Sequence, residues 1–148
     1  MLLRNAWYIA AWADEVGRGQ LLARRICNEP IVLFREGTGR AGALADRCCH
    51  RAAPLSMGSV VEEGIQCGYH GLVIDASGCC VRIPGQKQIP SDARVRSYPV
   101  VEKDQLVWVW MGDPAKADLP GSPTTLTTTT RADGPTNTTS IRSRPTTC

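Results

Sequence analysis

The chain has 148 residues, which suits one domain built around a single hydrophobic core. Its formal net charge is only +3. Most of that excess lies in residues 115–148, and no basic stripe is interleaved with aromatic residues, so no nucleic-acid partner is expected. The best candidate for a membrane segment, AWYIAAWA over residues 6–13, is far short of the roughly 20 residues a spanning helix needs. It also lacks a signal-peptide cleavage pattern. The expectation is therefore a cytoplasmic protein without membrane contact.

Short β-compatible runs follow one another through residue 113. Residues 21–27, 31–35 and 41–46 come first, divided by a turn at 28–30 and a glycine-bearing turn at 36–40. Residues 72–75, 79–83, 95–101 and 106–111 complete the series, with further turns at 77–78 and 84–85. The last run, LVWVWM, alternates so that Trp108 and Trp110 share one face, which is expected to pack into the core. A single helix is conceivable only near Asp14. This is an all-β pattern of the kind that gives small sandwiches and barrels.

Seven cysteines but only two histidines are present. Without an export signal, cysteines serve more often as metal ligands or buried thiols than as a disulfide framework. Each histidine lies two or three residues after a cysteine: Cys48-Cys49-His50, then sixteen residues, then Cys67-Gly68-Tyr69-His70. Thiolates favour iron–sulfur clusters, zinc or copper, and imidazoles suit iron, zinc or copper. The single residue between Cys48 and His50 is too tight for an ordinary zinc knuckle. A Cys-x-His half paired with a Cys-x2-His half is instead the signature of a Rieske [2Fe–2S] centre, in which two cysteines hold one iron and two histidines the other. Replacing two anionic thiolates by neutral imidazoles makes the cluster less negative and easier to reduce, with potentials of roughly −150 to +300 mV. The expected ligands are Cys48, His50, Cys67 and His70; a structural zinc site is the competing reading. Gly68 and Gly71 flank the second half and would allow a tight turn and close backbone approach. Backbone N–H groups there could bond the sulfurs and tune the potential. Tyr69 would either donate its hydroxyl or pack over the cluster, and the turn at 84–85 would either shield it as a third loop or be an ordinary turn.

The stretches CCHRAAPLSMG (48–58) and CGYHG (67–71) resemble the Rieske domain of ring-hydroxylating and O-demethylating oxygenases, within that family the vanillate O-demethylase oxygenase subunit type. NAWYIA (5–10), ICNEPIVLFR (26–35) and WVWMGD (108–113) carry the same resemblance, which covers about residues 1–114. It implies stacked antiparallel sheets with the cluster at the tip of two loops. It also implies single electrons arriving from a flavin/iron–sulfur reductase and passing toward a mononuclear non-haem Fe(II), within homo-oligomeric oxygenase subunits acting on a small aromatic. The alternative is a standalone Rieske-type ferredoxin with no substrate. Two departures stand out. Cys49 occupies a position where the family usually has Pro, and Ala52 one where it commonly has Gly. Cys49, Cys79 and Cys80 are expected to be free, buried thiols.

A mononuclear iron in that family needs two histidines and a carboxylate, and this chain has no histidine beyond the two in the motif. No such iron is expected to bind here, so the chain is not expected to be catalytic alone. Residues 115–148, rich in Thr, Pro, Ser and Arg, are expected to form a disordered tail. Threonine codons arise in quantity when GAC, TAC, CAC and AAC are read one base late. Residues from about 119 onward are accordingly expected to be an out-of-frame reading of a catalytic domain.

Overall fold

The structure is a computed structural model and describes residues 3–118. Eleven strands, all paired antiparallel, form three sheets among these residues. The first sheet joins β1 (Ala6–Trp12), β11 (Leu106–Met111) and β10 (Val100–Lys103) in the order β1-β11-β10. The second runs β2 (Leu22–Ile26), β3 (Glu29–Arg35), β4 (Ala41–Ala45) and β9 (Ser97–Tyr98). The third is a meander of short strands, β5 (Ser59–Val61), β6 (Gly64–Gln66), β7 (Val73–Ile74) and β8 (Cys80–Arg82).

Strand β3 explains the layering. Its side chains alternate between faces, yet Ile31, Val32, Leu33 and Phe34 are all fully buried. Ile31 and Leu33 enter a core with Val107, Val109 and Met111 of β11. Val32 and Phe34 enter a second core with Leu44, Leu55, Ile65 and Ile74, and that core also contains Cys48, Cys67 and Cys80. The continuous apolar run in the sequence thus marks a strand covered on both sides. Two of the expected cluster ligands, Cys48 and Cys67, lie in the second core, while His50 and His70 are exposed.

Several expectations shift. Residues 95–101 are two strands in different sheets, because Pro99 has no N–H to carry the ladder through; its carbonyl accepts from Trp110 instead. The segment near Asp14 is a turn, not a helix. Trp108 and Trp110 do share a face, but the core side of β11 is Val107, Val109 and Met111. Trp110 is buried on the opposite side beneath Trp7, edge to face at 5.5 Å. Of the residues assigned to a tail, Ala115 and Lys116 belong to a short 3-10 turn, Pro114–Lys116, capped by Asp113, and Trp7 donates its indole N–H to the Asp118 carbonyl. The remainder of that expectation, with its reading-frame hypothesis, falls on residues 119–148, outside the described residues.

Candidate metal centre

Two loops carry the four candidate ligands, and both are built on one hydrogen-bond frame. In the first, the Cys48 N–H donates to the Ala53 carbonyl at 2.8 Å and the Ala52 N–H to the Cys48 carbonyl at 2.9 Å. In the second, the Cys67 N–H donates to the Leu72 carbonyl at 2.7 Å and the Gly71 N–H to the Cys67 carbonyl at 3.0 Å. The fifth residue of each frame has positive φ: 57° at Ala52 and 72° at Gly71. Cysteine opens each frame. The histidine follows at the third position in one loop and at the fourth in the other, so the x1 and x2 spacings mark different apex positions of the same turn.

The loops are anchored from below. Asp46, just past β4, accepts from the Ser56 N–H at 2.7 Å and the Ser56 hydroxyl at 2.6 Å, tying the start of the first loop to its end. A Cβ on Gly68 would meet the Met57 carbonyl at 2.8 Å, so only glycine lets the second loop approach the first this closely. Pro84 packs against Gly71, which places the turn at 84–85 beside the second ligand loop. Tyr69 is exposed and lays its ring against His70, centroids 3.9 Å apart.

These frames bring the four expected residues together as two unlike pairs. Cys48 and Cys67 are buried, 4% and 3% exposed, and share one apolar core. His50 and His70 are exposed, with their Nδ1 atoms 3.1 Å apart and ring centroids 4.7 Å apart. Because the Nδ1 atoms are closer than the centroids, the Nδ1 edges face each other and the Nε2 edges lie outward. Among the described residues no group of three or more His, Cys, Asp or Glu side chains is arranged to hold a single metal ion. An inner sulfur pair and an outer nitrogen pair fit a two-iron cluster with one iron per pair, rather than one tetrahedral zinc. Burial pushes the Cys48 thiol up to about 11, the neighbouring Cys67 thiol adds to the rise, and a bond from the His50 backbone N–H opposes it.

The remaining cysteines play other parts. Cys49 and Cys80 are free, and burial first, then their mutual proximity, raises the Cys49 thiol. Cys79 departs from expectation: it is disulfide-bonded, not free. Sequence reasoning did not anticipate the basic character of the surface beside the first loop. Arg47, Arg51, Arg94 and Arg96 border one cavity with His50, and only the fold brings the second pair to the first.

Comparison with known proteins agrees with this geometry. The family model for the Rieske [2Fe–2S] domain matches residues 6–99. The iron–sulfur subunit of a toluene-4-sulfonate monooxygenase system from Comamonas testosteroni is 52% identical over 80% of this chain and 34% of its own length. The oxygenase component of dicamba O-demethylase from Stenotrophomonas maltophilia is 49% identical over 81% of this chain and 35% of its own. The crystal structure of apo dicamba monooxygenase superposes with a TM-score of 0.76 at 47% identity, covering 79% of this chain and 36% of that one. The chain thus spans about a third of the length of the curated relatives it matches.

Proposed function

Because the chain belongs to the Rieske [2Fe–2S] domain family, as its match over residues 6–99 shows, we propose that Cys48, His50, Cys67 and His70 hold the cluster and serve one-electron transfer within an aromatic oxygenase system. When bound, the cluster supplies a single reversible electron at a potential raised by its two neutral imidazole ligands. The observation that carries the reading is the paired arrangement, thiols inside and imidazoles outside.

Each half has its own task. Cys48 and Cys67 would hold one iron, and the apolar core around them would keep water from the thiolates. His50 and His70 would hold the other iron through their facing Nδ1 atoms, and as exposed side chains they would give an electron the shortest route into or out of the domain. Cys49 is not a ligand; its thiol belongs to the apolar layer with Cys80.

The relatives are named as components of monooxygenase and demethylase systems, which supports a reductase as the electron source here and a small aromatic as the eventual substrate. With both histidines on the cluster, this chain builds no two-histidine mononuclear iron site, and on its own it acts as an electron carrier. Among the described residues no helix is long and apolar enough to cross a membrane.

EPR of the purified, dithionite-reduced protein tests the reading. A rhombic signal with the low average g of a histidine-ligated cluster is expected, lost in His50→Ala and His70→Ala and retained in Cys49→Ala. Loss of the cluster in Cys49→Ala alone, or a colourless zinc-containing protein, would overturn the ligand assignment.

A further inference from the structure

A cavity of about 390 Å³ opens beside the first ligand loop, bordered by Arg47, Arg51, Arg94 and Arg96 together with Cys49 and His50. All four arginines are exposed. Arg96 is committed: it donates to Glu29 at 3.0 Å and to the Gly112 carbonyl at 3.2 Å, and it lies over the Tyr98 ring. Arg94 reaches the Cys79 sulfur at 3.8 Å. The Arg47 and Arg51 side chains have no ion-pair or hydrogen-bond partner among the described residues, although they bracket the ligand segment 48–50. Asp46, the carboxylate next to them in sequence, is turned onto Ser56.

The surface around the two histidines also carries apolar side chains that are exposed among the described residues. Met57 is 78% exposed and Tyr69 61% exposed, and the Met57 backbone abuts the second loop at Gly68. Arginine, tyrosine and methionine are the residue types enriched where proteins dock on one another. A small oxyanion would instead call for guanidiniums converging in a desolvated pocket, and these are exposed to water. Unneutralised positive charge beside an electron entry point speeds encounter with a negatively charged partner and does so less at high ionic strength.

We propose that Arg47 and Arg51, with Met57 and Tyr69, form the docking surface for an electron-donating protein that presents an acidic face. This rests on the assignment of Cys48, His50, Cys67 and His70 as cluster ligands. The arginines steer the donor to the side of His50, and the exposed methionine and tyrosine give it an apolar seat over the imidazole edges.

Stopped-flow reduction of the cluster-loaded chain tests this, with reduced plant-type [2Fe–2S] ferredoxin as an acidic protein donor and the methyl viologen radical cation as a small donor. Plant-type ferredoxin has a potential well below that of a Rieske centre, so transfer is downhill. For the wild type, the rate with ferredoxin is expected to fall steeply with added salt. In the double variant R47E/R51E it is expected to drop on the order of tenfold or more at low salt. The variant's EPR signal and its rate with methyl viologen should not fall. Arg18→Glu, near the Gly39 turn at the far end of β4, should leave both rates unchanged. A charge-reversed variant with an intact EPR signal that ferredoxin reduces at the wild-type rate would overturn the docking surface. So would equal slowing with methyl viologen, which would mean a perturbed cluster. Inhibition by inorganic phosphate at constant ionic strength would mark a small-anion site instead and also overturn it. A wild-type chain without the histidine-ligated signal would refute the ligand assignment itself, a distinct failure.

Discussion

The two ligand loops share one backbone frame, yet they reach it by different means. Residues 67–72 are supplied with glycine at both demanding positions: Gly71 where φ is positive and Gly68 where the first loop passes within contact. Residues 48–53 take the same turn with Ala52 at the positive-φ position and depend on an external brace, the Asp46–Ser56 pair. One loop is preorganised by its own sequence and the other is held in shape by its neighbours. Geometry is common to both, but tolerance to change should differ.

The largest effects should ignore that difference, because a two-iron cluster needs both halves. Cys48→Ala and Cys67→Ala should each abolish the cluster, as measured by visible absorbance and iron content. A variant that kept a full complement of iron would break the symmetry of the pairs. The pH dependence of loading comes next. Cluster binding must displace the thiol proton of Cys48, which burial holds up to about 11. The apparent affinity of the cluster-free protein should therefore rise with pH, about tenfold per unit for that proton, without levelling off before about 11. Reconstitution titrations between pH 7 and 9 check the slope; a flat profile would mean that Cys48 is not a ligand.

Substitutions in the loop frames should then separate the two. Asp46→Ala leaves the Ser56 amide and hydroxyl without their acceptor, a loss of about 1–3 kcal/mol. The cost should appear as faster cluster loss on heating, with the second loop's amides unaffected in hydrogen exchange. Gly71→Ala forces a Cβ into the left-handed region and to within 3.1 Å of the Pro84 ring. The strain should cost about 1–3 kcal/mol in thermal or denaturant unfolding.

Much of this arrangement was legible before any coordinates, and the unread parts share a cause. The four candidate ligands could be picked out because their information is local: each cysteine and histidine lie within one turn. The strands Leu106–Met111 and Ala41–Ala45 could be read because they are long enough for a pattern to declare itself. Ser59–Val61 and Gly64–Gln66 could not, since three residues hold no measurable period. The two-residue turns at Cys27 and Asn28 and at Asp104 and Gln105 adopt positive φ without glycine, so the usual hairpin marker is absent. Trp108 misled because alternation reports which residues share a face, not how deeply each is covered: Trp110 is buried and Trp108 only partly so. The basic surface was invisible for a simpler reason: Arg94 and Arg96 lie more than forty positions beyond Arg51, and only the fold sets them beside the first loop.

The smallest predicted effect is also the sharpest test of the comparison. Ala52 departs from the glycine common among proteins it resembles, and sequence alone gave no reason to weigh that change. Its φ of 57° supplies one. An L-residue in the left-handed region pays roughly 1–2 kcal/mol that glycine does not, offset in part by glycine's greater freedom in the unfolded chain. Ala52→Gly should therefore stabilise the protein by somewhat less than that, about 0.5–1 kcal/mol, read as a small rise in the denaturant midpoint with an unchanged slope. Paired with Gly71→Ala, it gives opposite signs at equivalent positions of the two loops. If Ala52→Gly is instead destabilising, the first loop is not held in the second loop's frame, and the shared turn does not explain how Cys48 and Cys67 come to face one another.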